Sequence, residues 1–161
     1  MTSVSTPTTG PRSSAVFGVS RWLLRILLTL TALLLFTQPV SIGQYLQGRF
    51  TMLDMHAAVG SGVIVVSFFA ACAAVFYTIV GGRVWVPITV GVTGFLIEIQ
   101  VGMGYAHQLG IHVPLGVTII AAGILLAIWV WTPASGRSRA RRRPPIKTPD
   151  EVDRDPERVI G

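Results

Sequence analysis

The sequence predicts an all-α fold: a membrane-spanning up-down-up-down four-helix bundle with both termini cytoplasmic. Three observations lead there. Of the 161 residues, 51% are apolar and only 12% are charged, about half the charged share of an ordinary soluble domain. Between residues 26 and 136 the only formal charges are Arg49, Asp54, Arg83 and Glu98. The other basic residues gather at the two ends of the chain, so the net charge of +6 reads as membrane topology. A small soluble globule needs more polar residues to cover itself. The composition therefore excludes an ordinary soluble enzyme, a disordered chain and a nucleic-acid-binding domain. The single Cys72 allows no internal disulfide.

Residues 1–20 are rich in Ser, Thr, Pro and Gly and lack apolar periodicity. They read as a disordered cytoplasmic tail. Arg21 and Arg25 flank the first apolar run, as in a signal peptide, but the polar leader is long and no small-x-small cleavage site follows. An uncleaved signal anchor fits better. A spanning helix needs about 20 predominantly apolar residues. Four stretches qualify, at about 22–40, 55–80, 84–105 and 111–131, within a transmembrane domain of residues 21–132. Four spans put Arg12, Arg21, Arg25, Arg83 and the cluster from Arg137 to Arg143 on one side, with Arg49 alone on the other. That side is the cytoplasm by the positive-inside rule. Residues 133–161 read as a disordered tail, basic and then acidic. Its basic part reads first as stop-transfer charge, with binding of anionic lipid head groups as the alternative.

Membrane helices pack through small residues. On that basis helix three should bury Gly91, Gly94, Glu98, Gly102 and Tyr105. Helix two should bury His56, Gly60, Ser67, Ala71 and Ala74, and helix four His112, Gly116, Ile119 and Gly123. In helix one, Thr29, Ala32 and Phe36 are the candidates. Pro87 and Pro114 fall in the expected first turns of helices three and four, where a missing N–H is harmless. A short repeat also emerges. His56 and His112 each precede a glycine by four residues, Gly60 and Gly116, and each follows a glutamine near the outer end of the preceding helix, Gln38 or Gln100. The chain reads as a duplicated helical hairpin.

The two histidines are the main functional clue. Helices two and four run the same way and lie diagonally across such a bundle. His56 and His112 then sit at one depth near the outer face, where two imidazoles can share a haem iron. Gly60 and Gly116, one turn below, would clear room for the macrocycle. The competing reading is a pair of interfacial histidines without a ligand, since an intramembrane ionisable residue is a functional site only by default hypothesis. His107 is either an accessory ligand for a transition metal or an interfacial residue beside Tyr105. Asp54 either orients His56 as a hydrogen-bond acceptor or caps the second helix. Glu98 should face the bundle interior, as a proton relay, a contact to quinone or haem, or a structural hydrogen bond with Gln38 or a backbone carbonyl. Arg49 is either a partner for an anionic group such as a haem propionate or a solvated loop charge.

The stretch from Gln38 to Trp131 resembles small four-helix integral membrane proteins of bacteria. More distantly it resembles one four-helix half of haem A synthase, and more loosely the b-type membrane cytochromes. His56 and His112 match the haem-holding histidines of the second and fourth helices of that half. The run Ile99-Gln100-Val101-Gly102-Met103-Gly104 before His112 is similar to its third-to-fourth helix region. Two departures stand out: this chain has no second half, and Asp54 precedes its histidine at a different spacing. The resemblance implies one haem b for electron transfer or redox sensing. The implied partners are the lipid bilayer and a membrane redox partner, a quinone or a second copy. The alternative is a cofactor-free scaffold or accessory subunit of a membrane complex. A transporter or channel subunit is the weakest class, because polar residues inside the spans are few and no broken helix is evident.

Overall fold

The computed structural model describes the backbone of residues 11–139 and the side chains of residues 15–139. Four α-helices carry the fold: α1 (Pro11–Leu46), α2 (Thr51–Ile79), α3 (Trp85–Tyr105) and α4 (Leu109–Trp131). A 3-10 turn, Pro133–Gly136, follows. All four helices are long and apolar enough to cross a membrane. Their outer surfaces agree: Leu33, Phe68, Phe95 and Leu125 are each at least 60% exposed at mid-helix. Apolar surface on that scale belongs against lipid and not water.

The helices are longer than the expected spans. α1 has 36 residues, about 54 Å at ~1.5 Å per residue, against a hydrocarbon core of about 30 Å. It begins at Pro11, so residues 11–20 are helical and not part of a disordered tail; Ser20 is fully buried. Proline suits the first helical position because its missing N–H is an orphan there. At the other end, residues 133–139 fold back on the bundle, which corrects the expected start of a disordered tail at 133. The fully buried Tyr77 donates its hydroxyl to Ser135 O at 2.8 Å. Arg139 reaches Gly81 O and Thr78 O. The expected tails at residues 1–10 and 140–161 lie outside the described residues. α4 starts at Leu109, so Pro114 lies inside the helix and not in its first turn.

Packing is cyclic. α1 touches α2 and α4, and α3 touches α2 and α4; neither diagonal pair makes backbone contact among the described residues. One apolar cluster, including Leu24, Ala74, Tyr77, Val86 and Val130, fills the tryptophan end. Trp22, Trp85, Trp129 and Trp131 all lie at that end. A second cluster of Leu35, Val63, Ile97 and Ile119 lies toward the histidines. Thr31, Ser67 and Thr93 are buried between helices. Each donates to a carbonyl of its own helix, at Leu27, Ile64 and Thr89, so burying the hydroxyl leaves no orphan donor.

The expected seam of α3 is off by one residue. Its buried residues are Val86, Val90, Thr93 and Ile97, and Glu98 is exposed. One residue is a rotation of about 100° on a helix. Glu98 and Gly102 therefore lie on the outer surface, and Glu98 makes no interior hydrogen bond. In α1, Ala32 is buried as expected, but Phe36 is 59% exposed and the inward stripe is Leu24, Leu28, Thr31 and Leu35. α2 and α4 match better: Gly60, Ser67, Ala74, Ile119 and Gly123 are buried.

Candidate functional site

The site is built at the histidine end by two hairpins that repeat one arrangement. In the first, Gln38 near the end of α1 meets His56 near the start of α2. His56 Nδ1 lies 3.3 Å from Gln38 O and 3.1 Å from Ser41 Oγ. In the second, Gln100 near the end of α3 meets His112 near the start of α4, with His112 Nδ1 2.7 Å from Gln100 O. A carbonyl only accepts, so Nδ1 is the protonated nitrogen in both rings. In a neutral imidazole Nε2 then carries the lone pair. A backbone carbonyl on the far nitrogen is how proteins orient metal-binding histidines.

The two rings meet across the bundle. Their centres are 6.1 Å apart, with planes inclined at 61°. Both residues are half-buried. The backbones of α2 and α4 stay apart, so it is the side chains that meet across the diagonal here.

The glutamine side chains complete the repeat. Gln38 Oε1 lies 3.8 Å from where a Cβ on Gly60 would stand, and Gln100 Nε2 lies 3.1 Å from the corresponding point on Gly116. The room beside each glycine thus holds the amide of the preceding helix. Gln100 Nε2 also donates to His112 Nε2 at 3.2 Å. Its counterpart, Gln38 Nε2, is buried with no partner among the described residues. Gly104 lies against the ring: a Cβ there would stand 2.8 Å from His112 Cε1 and 2.9 Å from Nδ1.

Asp54 is exposed in the first turn of α2, which starts at Thr51, so it is not the N-cap. Ser41 and the Gln38 carbonyl take the orienting place on His56 that was one of the two readings of Asp54. His107 is an exposed turn residue with φ of 58°, a left-handed conformation that closes the α3–α4 connection. No group of three or more potential metal ligands from His, Cys, Asp and Glu forms among the described residues, so His107 does not join the pair. Arg49 is exposed in the α1–α2 connection, and Glu98 points away. Sequence reasoning missed Ser41 and Gly104 as site residues. The signal for Gly104 was its place one turn after Gln100, on the same face. No family model, no curated protein and no solved structure matches this chain.

Proposed function

We propose that this multi-pass membrane protein binds one haem b between His56 and His112 for electron transfer or redox sensing. In this reading the bundle runs up-down-up-down in the cell membrane, both termini are cytoplasmic, and the histidine end faces outward. The carrying observation is the 6.1 Å separation of the imidazoles. A metal–imidazole nitrogen bond is about 2.0–2.1 Å, and a ring centre lies roughly 1 Å behind its nitrogen. Two imidazoles sharing one metal therefore put their centres about 6 Å apart. The Nδ1 contacts to Gln38 O and Gln100 O leave both Nε2 atoms as the ligating nitrogens. The resemblance to a four-helix half of haem A synthase and to b-type cytochromes agrees with this pairing.

A haem held by His56 and His112 would supply one-electron transfer. The residues of this chain fix the rings through the Gln38 and Gln100 carbonyls and place a glycine one turn below each. The macrocycle would need the space beside Gly60 and Gly116 that the Gln38 and Gln100 amides now fill, so both side chains would have to turn away to admit it. A site at one end of the bundle suits exchange with a partner on one side of the membrane: a membrane redox protein, a quinone or a second copy.

A second reading has its own observation. The Gln100 amide already satisfies His112 Nε2 at 3.2 Å, as in a cofactor-free scaffold or accessory subunit. An absorption spectrum of the protein purified from haem-supplied membranes separates the two. The haem reading expects sharp reduced bands that are lost in His56→Ala and His112→Ala. Haem-free protein decides for the scaffold, and bands that survive both substitutions remove His56 and His112 as the ligands.

A further inference from the structure

We propose that the tryptophan end of the bundle carries a binding site for an anionic phospholipid, with its phosphate on Arg21 and Arg25 and an acyl chain in the groove between α1 and α4. Arg21 and Arg25 are one helical turn apart on one face, a spacing at which like charges repel. Arg25 is only 9% exposed. Its guanidinium lies 5.0 Å from the Trp22 ring centre and 4.7 Å from that of Trp131. Its Nε donates to Val130 O at 3.1 Å, and Arg21 Nε donates to Ser135 Oγ at 3.1 Å. Each contact uses one of five guanidinium donors. The described residues contain two carboxylates, Asp54 and Glu98, and neither lies at this end. The paired charges call for an anion.

The surface beside them selects its kind. An open groove of about 540 Å³ runs along α1 and α4, lined by Thr29, Ala32, Phe36, Ala127, Ile128 and Trp131, among others. Trp131 closes its arginine end and donates Nε1–H to Thr29 Oγ1 at 3.0 Å. From Thr29 to Phe36 the groove extends about 10 Å along the helix. A phosphate on the arginines just past Trp131 and a hydrocarbon chain along the groove is the layout of a membrane phospholipid. Charge complementarity sets the preference: a basic residue near the membrane surface contributes about fivefold toward an anionic lipid.

The test uses the full-length protein in phosphatidylcholine vesicles containing a fixed minor fraction of lipid with brominated chains, which quench tryptophan on contact. Brominated phosphatidylglycerol is expected to quench more than brominated phosphatidylcholine. Arg25→Gln and Arg21→Gln should each reduce that preference about fivefold, and Arg25→Lys should retain most of it. Added inorganic phosphate should leave the quenching unchanged. Ala127→Phe fills the groove without touching a charge, so it should reduce quenching by both lipids while helix content stays constant. This variant decides the matter should the arginine variants misfold. Equal quenching by the two lipids overturns the proposal. Competition by phosphate, or no effect of Ala127→Phe, overturns it as well.

Discussion

Replacing Gly104 by alanine tests the geometry that holds His112. The new methyl would stand 2.8 Å from His112 Cε1 and 2.9 Å from Nδ1. Ordinary carbon contacts need about 3.5–4.0 Å, so the ring must retreat by roughly 0.7–1 Å. That movement stretches the 2.7 Å bond from Nδ1 to Gln100 O to the limit of hydrogen bonding. Losing the bond and leaving its partners buried costs about 1–3 kcal/mol, and crowding adds about 1 kcal/mol. Alanine returns about 1 kcal/mol of helix propensity. The net expectation is a loss of about 1–3 kcal/mol. Gly102→Ala is the internal control, because nothing lies within 4 Å of its added Cβ and only the propensity gain remains. Thermal unfolding in detergent should place Gly104→Ala roughly 2–12 °C below the parent, at about 2–4 °C per kcal/mol, and Gly102→Ala at or above it. Equal melting temperatures for the two variants would refute the packing argument.

Tyr77→Phe removes the buried hydroxyl that anchors residues 133–139 through Ser135 O. We expect a loss of about 1–2 kcal/mol and faster tryptic cleavage at Arg137 and Arg139; unchanged cleavage would show that the fold-back does not depend on this bond. Glu98→Gln removes a carboxyl from the lipid-facing surface, away from the paired histidines. It should leave the pH dependence of any redox midpoint unchanged and improve membrane insertion, since a carboxylate at helix-centre depth costs about 2.5–3.5 kcal/mol on insertion scales. A shifted pH dependence would restore Glu98 to the redox site.

Helix number and approximate position were legible because charge is so sparse between residues 26 and 136. Which face of each helix turns inward was less legible. Lipid and core are both apolar, so the contrast that marks the buried stripe of a soluble helix is missing. α3 shows the consequence. Its glycines suggested one stripe, while Val86, Val90, Thr93 and Ile97 form the real one a single residue away. The start of α1 was hidden by a Ser- and Thr-rich stretch, although Pro11 was a usable signal. At the site, the His-x-x-x-Gly repeat with its preceding glutamine reflects a physical equivalence: each imidazole meets the glutamine carbonyl, and each glutamine side chain meets the glycine. The carbonyl contacts themselves leave no trace in side-chain identity, which is why Asp54 was a candidate for a role that the Gln38 backbone fills.

Electron paramagnetic resonance of the oxidised, haem-supplied protein tests the central claim most directly. Two imidazole ligands predict a low-spin ferric signal at one haem per chain, lost in both His56→Ala and His112→Ala. A high-spin signal, or protein that takes up no haem, would contradict the account.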